Sequence, residues 1–435
     1  MSTASKTGAD QNEAETSAAL ARDCRALAEQ AKLSSRRLAV ALGSAKNLWL
    51  AHSAAALVAQ RDHILAANAL DVAAAPDLGL NAAAIDRLTL NPKRIQDIAN
   101  SLHEVAALAD PIGEVVTSSR RPNGLDVRQV RVPIGVVFMI YESRPNVTVD
   151  AAALCVKSGN AVILRGGKEA IRTNAALHQI LANELEPAGL PEHAVQLVAT
   201  TNRDAVGQIL GMAGLVDLAI PRGGESLIRR VVAEATMPVL KHYQGNCHIY
   251  LDRQCDFEMA LKIIHNSKVE RPGVCNAAET LLVHRDIAAK FLPRLAQALI
   301  PFGVELRGDQ TARSIVPEMT PAGPDDWDLE YLDKILAVGV VDSIDTAIAH
   351  ITRHGSSHTD AIVTSNLASA QRFVAEVDSA AVVVNASTRF NDGGQLGLGA
   401  EIGISTDKIH ARGPCGLKEL TSTKWIITGE GQIRL

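Results

Sequence analysis

Residues 135–168 read GVVFMIYESRPNVTVDAAALCVKSGNAVILRGGK, and this stretch decides the fold. The apolar run at 135–140 is short and shows no polar alternation, the texture of a strand buried on both faces. A helical pattern follows over 147–158, and a second apolar run over 161–165 closes on two glycines. Strand, helix and strand in some thirty residues make a βαβ unit, whose two strands run parallel.

Working downstream, the rhythm persists. Helical patterns at 168–186, 203–212 and 225–235 alternate with strand-like runs at 194–198, 215–220 and 248–252. A second set begins near Phe257, with helices over 256–269, 286–300 and 367–376 and strands over 280–284 and 361–364. Short apolar strands between amphipathic helices predict doubly wound parallel sheets in an α/β protein.

Upstream, 18–107 is helical in pattern: Leu20, Cys24, Leu27 and Ala31, then Leu48, Ala51 and Ala55, recur at threes and fours. A helix is expected over 89–106, with Pro92 tolerated in its first turn. Between these regions, strand-like runs at 114–119 and 125–132 flank Asn123-Gly124, a strong hairpin signal. The run 422–427 is also strand-like and is expected to pair with this hairpin. The expected division is a mobile tail at 1–16, a cofactor domain at 17–113 and 133–252 with a return segment at 385–417, a catalytic domain at 253–384, and an oligomerisation arm at 114–132 and 418–435.

Composition removes several functions. The 435 residues are 47% hydrophobic and 21% charged, with a net charge of −5 and no long basic run, so a nucleic-acid role is not expected. No apolar stretch reaches the ~18 residues of a membrane span. The start lacks the basic and apolar regions of a signal peptide, which points to the cytoplasm. Six cysteines stand apart, with no Cys-x-x-Cys and no zinc-finger spacing; free thiols are expected, and no metal.

One cysteine stands out. In Glu270-Arg271-Pro272-Gly273-Val274-Cys275-Asn276-Ala277, a Pro-Gly turn presents Cys275 between a helix and a buried strand. A thiolate there could be activated by backbone amides and Arg271; a small buried thiol of the core is the alternative. After the first strand, Tyr141-Glu142-Ser143-Arg144-Pro145-Asn146 falls where open α/β sheets bind ligands. Asn146 could donate to a developing oxyanion, worth about 3 kcal/mol in comparable sites, or cap the helix.

Arg165-Gly166-Gly167-Lys168 closes the next strand and opens a helix; Pro221-Arg222-Gly223-Gly224-Glu225-Ser226 repeats the arrangement two units later. Glycines admit a ligand close to the backbone and a helix start favours anions. The flanking cations suit an extra phosphate, hence NADP rather than NAD. No G-x-G-x-x-G follows a strand. His354 and His358 sit four apart across Gly355-Ser356-Ser357, a loop lining rather than a metal pair.

Three separated motifs now carry a resemblance. The run from Val341 through Ala347-Ile348-Ala349-His350-Ile351 to His354-Gly355-Ser356-Ser357-His358-Thr359-Asp360, the stretch Tyr141-Glu142-Ser143-Arg144-Pro145-Asn146-Val147-Thr148, and Arg271-Pro272-Gly273-Val274-Cys275-Asn276-Ala277-Ala278-Glu279 together resemble the aldehyde dehydrogenase superfamily. The resemblance runs from about residue 18 to the end, and within the superfamily the match to a branch that reduces an acyl phosphate is close. The resemblance implies NADPH-dependent reduction of L-glutamyl 5-phosphate through a Cys275 thioester, in proline biosynthesis. It implies Asn146 as oxyanion donor beside the Cys275 N–H, and a cofactor held by Arg165, Gly166, Gly167, Lys168, Gly223, Gly224, Ser226 and Glu330. Glu142, Arg144 and Arg271 are expected on the substrate. A homo-oligomer is implied, its arm pairing with a partner's C-terminal strand region, with the upstream glutamate kinase as a further partner.

One departure is informative. Hydrolysing relatives carry Glu-Leu-Gly-Gly where this chain reads His242-Tyr243-Gln244-Gly245-Asn246, so the acid that activates water is missing. The thioester should be spared from hydrolysis. The rival readings are another acyl-phosphate reductase, a cofactor-free thiol hydrolase needing a histidine base near Cys275, and a non-catalytic scaffold.

Overall fold

The structure, a computed structural model, describes residues 4–434. The chain divides into two compact units, Met1–Lys241 with Leu398–Gly403 and Cys415–Leu435, and His242–Gly397 with Ile404–Pro414.

In the first unit, helices Ala4–Leu38, Gly43–Ala59, Arg61–Ala74, Ala82–Leu88 and Pro92–Ala107 precede the sheet. Asn91 caps the last of these, its side chain accepting from Arg94 N at 2.8 Å, with Pro92 in the first turn where no N–H is needed. The tail expected over 1–16 is not found as such: residues 1–3 lie outside the described residues, and from Ala4 the backbone is already helical.

Among the described residues of this unit, four parallel strands run in the order Val195–Leu197, Ala161–Arg165, Val136–Tyr141, Leu218–Arg222. All six residues of Val136–Tyr141 are buried, as the unbroken apolar run requires. Cys24, Ala28 and Ala31 of the first helix pack on Val136, Phe138, Ile140 and Ile163. The chain steps outward from Val136–Tyr141 through Ala161–Arg165 to Val195–Leu197, then crosses back to Leu218–Arg222 on the other side of Val136–Tyr141, and a ligand crevice opens beyond the carboxyl ends where the direction reverses. Pro221, which has no N–H to give, sits in the edge strand.

The hairpin forms as its Asn-Gly signal implies, with Val115–Arg120 antiparallel to Asp126–Pro133. Its other edge is filled by Thr421–Thr428 of the same chain, from Thr421 opposite Pro133 to Thr428 opposite Asp126. The pairing expected between the 422–427 run and the hairpin is thus made within one chain, on the side of Asp126–Pro133 opposite Val115–Arg120. Eight consecutive residue pairs within one chain already satisfy that edge.

The second unit holds, among the described residues, a seven-stranded sheet. Its order is Thr320–Pro321, Glu305–Gly308, Ile335–Val341, Ala278–His284, Cys247–Leu251, Thr359–Val363, Ala381–Val384, and every pairing is parallel. Ile249, Leu281 and Val363 face helices Phe257–Val269 and Arg285–Leu299. Tyr250, Leu282 and Ile362, one residue out of step, face helices Ile344–His354 and Leu367–Glu376. That alternation is the two-residue period of a strand covered on both sides.

The boundary expected at 252 is therefore misplaced. Cys247–Leu251 lies mid-sheet in the second unit, paired with Ala278–His284 and Thr359–Val363. The unit begins at His242, and of the return segment expected over 385–417 only 398–403 and 415–417 belong to the first unit. A buried strand at a domain crossing carries no local mark of which sheet it will join. Among the described residues no helix is long and apolar enough to cross a membrane.

Candidate active site

The first unit gathers its candidate residues at the carboxyl ends of its strands. A cavity of about 350 Å³ is lined by Tyr141, Glu142, Arg165, Gly167, Lys168, Glu169, Thr201, Arg203, Ser226 and Arg230, among others. Gly166 lines a small neighbouring recess with Lys168 and Asn174. The two glycine turns are cradles that a side chain would fill: a Cβ on Gly167 would overlap the Glu169 carboxylate, and one on Gly223 would approach Glu142.

The loop after Val136–Tyr141 is tied down. Ser143, at φ +40°, gives its N–H and its hydroxyl to Glu169 Oε1 at 2.7 and 2.9 Å. Glu142, expected on the substrate amine, accepts from Gly224 N at 3.0 Å through one carboxylate oxygen and forms cavity wall. Two residues that sequence reasoning missed, Arg203 and Arg230, add cations to Arg165 and Lys168. Arg203 stands just before helix Asp204–Leu210 and Arg230 lies in Glu225–Glu234, places where a surface arginine reads as solvated. Burial lowers the Arg165 pKa while leaving the group a cation.

Asn146 is the first residue of helix Asn146–Lys157, so the capping alternative is not realised; Pro145 holds the cap position. Its amide donates to Asp150 Oδ2 at 2.9 Å, within its own unit, and burial pushes the Asp150 carboxyl upward. An amide carries two N–H groups, so this bond fixes the plane of Asn146 and leaves a donor.

In the second unit, the Cys275 turn sits as the sequence predicts, between Phe257–Val269 and Ala278–His284. Cys275 is half-buried, whereas Cys24, Cys155, Cys247 and Cys415 are buried. Gly245 lies flush against it: a Cβ there would overlap the Cys275 carbonyl oxygen. That carbonyl accepts from Cys247 Sγ at 3.2 Å. Asn276, next in sequence, is clamped from a distant segment. Its carbonyl accepts from Thr388 Oγ1 at 2.6 Å, its Nδ2 donates to Asn391 O at 3.1 Å, and its Oδ1 accepts from Arg389.

Two imidazoles converge on the thiol. One ligand atom each of His242, Cys275 and His358 lie within 4.8 Å of one another. His242 Nδ1 faces the carbonyl of Ile404 at 3.0 Å and must donate to it, which leaves Nε2 with the lone pair. His358 is buried, its Nδ1 2.8 Å from Thr359 Oγ1. His354 turns elsewhere, to Asp328 Oδ1 at 2.8 Å. The four-residue histidine spacing thus does not converge; the partners come from the segment where an acid was noted to be missing and from the strand start at Thr359. Nothing local in the sequence joins them.

Behind the turn, Lys268 Nζ meets Glu279 Oε2 at 2.5 Å, both fully buried, and burial pushes the Glu279 carboxyl up to about 8. Leu332 N reaches Glu279 Oε1 at 3.4 Å, which places Glu330 close by. Arg389, also missed, lies within electrostatic reach of Arg271 and Cys275; burial, then the Arg271 charge, lowers its pKa. Arg271 itself is exposed on the turn, and Arg144 is half-buried on the loop of the first unit.

Residues 7–313 match the model of the aldehyde dehydrogenase family. The gamma-glutamyl phosphate reductase of Rhodopirellula baltica is 56% identical over 434 residues, covering 100% of both chains. The crystal structure of the gamma-glutamyl phosphate reductase of Thermotoga maritima superimposes with a TM-score of 0.93 at 45% identity, covering 95% of this chain and 100% of that one. An engineered glycolyl-CoA reductase with bound NADP+ shares the fold at a TM-score of 0.67 and 15% identity, over 93% of this chain and 96% of its own.

Proposed function

The chain belongs to the aldehyde dehydrogenase family and, within it, to the gamma-glutamyl phosphate reductases, and on that premise we propose that it reduces L-glutamyl 5-phosphate to L-glutamate 5-semialdehyde with NADPH, through a Cys275 thioester. The observation that carries the reading is the half-buried thiol with two imidazoles beside it.

His242, its Nδ1–H directed at the Ile404 carbonyl, accepts the Cys275 proton at Nε2. The thiolate attacks the acyl carbon, the acyl–phosphate bond breaks, and phosphate leaves with the bonding pair. The Cys275 N–H and the Asn146 amide are the donors assigned to the oxyanion of the addition step. Gly245 and the Asn276 clamp hold the turn still while the thioester forms. With no carboxylate in the His242-Tyr243-Gln244-Gly245 segment, the thioester lasts long enough to be reduced.

The first-unit cavity fits the adenosine half of a dinucleotide: about 350 Å³, glycine-walled, at the carboxyl ends of the strands. Arg165, Lys168, Arg203 and Arg230 suit a 2′-phosphate and favour NADPH over NADH. Once bound, the cofactor supplies the hydride that reduces the thioester. Gly166, Gly167, Gly223, Gly224 and Ser226 shape the cradle, Glu142 walls it, and Glu330 is assigned to the nicotinamide ribose. Arg144, Arg271 and Arg389 are the cations for substrate phosphate and carboxylate. The reaction is the second step of proline biosynthesis in the cytoplasm, after glutamate kinase. The arm, with Trp425 and Ile427 60% and 63% exposed, is the face for self-association.

A thiol beside imidazole is also what a hydrolase would use. The full-length identity to reductases and the cationic cavity favour reduction. The deciding assay is phosphate-dependent reduction of NADP+ by glutamate 5-semialdehyde. Cys275→Ser should lose on the order of 10³-fold or more in kcat, with NADPH fluorescence titration unchanged. Turnover without NADP+, or an active Cys275→Ser, would sink the reading.

A further inference from the structure

We propose that His242, Cys275 and His358 form a site for one zinc-class divalent ion, open at a fourth position. Occupancy of this site switches the thiol off reversibly. The metal site stands on geometry alone; only its inhibitory consequence rests on Cys275 being the nucleophile.

The three ligand atoms lie within 4.8 Å of one another. A tetrahedral ion at about 2.0–2.3 Å from N and S donors spaces them roughly 3.3–3.7 Å apart. Closing that difference takes about 1 Å of side-chain rotation, which a half-buried cysteine on a turn allows. The donors are one thiolate and two imidazoles, the set that zinc, cobalt and copper prefer over magnesium or calcium.

The surroundings match a ligand set as well. Metal-binding histidines have their second nitrogen hydrogen-bonded by the protein, which fixes tautomer and ring plane. His242 has the Ile404 carbonyl at 3.0 Å, and His358 has Thr359 Oγ1 at 2.8 Å. The rings meet edge to face, centroids 5.3 Å apart. Cys247 is fully buried behind them, its Sγ on the Cys275 carbonyl oxygen, and is not one of the three. With three protein ligands, the fourth position takes water or a substrate oxygen. The binding step is balanced: the metal–sulfur bond forms, the thiol proton leaves to solvent, and no oxidation state changes. This departs from the sequence expectation of no metal.

The test is a Co2+ titration of the full-length protein after removal of metal with a chelator. The expected result is a thiolate-to-cobalt absorption band saturating at one ion per chain, with proton release, reversed by chelator. The band should vanish in Cys275→Ser and after alkylation of Cys275 in the wild-type protein, and persist in Cys247→Ser. In His242→Gln the affinity should fall at least about tenfold. Zn2+ should inhibit in proportion to occupancy, with acyl phosphate protecting. A band unchanged in Cys275→Ser, or lost in Cys247→Ser, overturns the site. So does its absence from a wild-type protein with full phosphate-dependent activity. A band with this signature in a protein lacking that activity upholds the site and overturns the proposed reaction instead.

Discussion

The Arg165-Gly166-Gly167-Lys168 turn and the Cys275 turn both join a helix and a strand, yet they are built by different means. The first is shaped by its own backbone: glycines, a helix start and flanking cations within a few residues, with Arg203 and Arg230 added from neighbouring segments. The second is held from far away. Gly245 packs under it, residues 388–391 clamp Asn276, and His242 and His358 reach the sulfur from segments 33 and 83 residues distant in sequence (275 − 242 and 358 − 275). A binding cradle tolerates small displacements, because many contacts share the work. A nucleophile does not, since its reacting atom must be placed to within a fraction of an ångström.

The two turns should therefore fail differently. The largest effect is expected at Gly245→Ala, where the added methyl meets backbone that cannot swing aside. We predict a loss of about 100-fold in kcat, with dinucleotide affinity unchanged by fluorescence titration. An undiminished kcat would break the contrast. Next, Arg203→Ala should raise the Kd for NADPH by roughly 10- to 100-fold, the worth of one charge-assisted contact, while leaving that for NADH unaltered. Equal losses for both dinucleotides would remove Arg203 from the 2′-phosphate. Gly223→Ala is milder, because the obstructing atom is the end of the flexible Glu142 side chain. Its cost should stay within about tenfold in NADPH affinity, with kcat preserved.

The smallest effect sharpens the picture of the second unit. His350 is half-buried, with a buried Nε2 that has no hydrogen-bond partner among the described residues. Burial, then the neighbouring His248, depresses its pKa to about 3. A histidine whose folded pKa lies below its unfolded value stabilises the fold above the unfolded pKa, near 6.5. That contribution drains away as pH falls toward 3. His350→Gln should flatten the fall of stability between pH 6 and 4 by at most about 1.4 kcal/mol per pH unit, the one-proton limit. Urea unfolding at several pH values measures it, and an unaltered slope would show that the ring is not the group responsible.

What the sequence revealed follows the same division. The strand at Val136–Tyr141, the Asn-Gly hairpin and both glycine turns are local patterns, readable from ten residues or fewer, and all are where they were expected. Four strands of the second sheet escaped: Glu305–Gly308 and Thr320–Pro321 have weak patterns and are held by neighbours in the sheet, while Ile335–Val341 and Ala381–Val384 are short apolar runs that were passed over although their composition is strand-like. Strand Cys247–Leu251 was seen but given to the wrong unit, since pairing partners 30 and more residues onward decide its sheet. Cys275 was legible through its Pro-Gly turn. Of its companions, His358 was legible as part of a polar loop lining a site, whereas His242 and Arg389 look ordinary until the chain brings them back.

The arm adds a constraint on how the molecule is made. Asp126–Pro133 is translated early, but its third-strand neighbour Thr421–Thr428 emerges only after the entire second unit has been synthesised. Through that interval the hairpin shows one unsatisfied row of amides and carbonyls, an invitation to neighbouring nascent chains. Docking of the late strand is a slow, long-range closure by topology. Ribosomes stalled or released before residue 421 would yield a protein whose interior is finished and whose seam stays open, fit more for aggregation than for work.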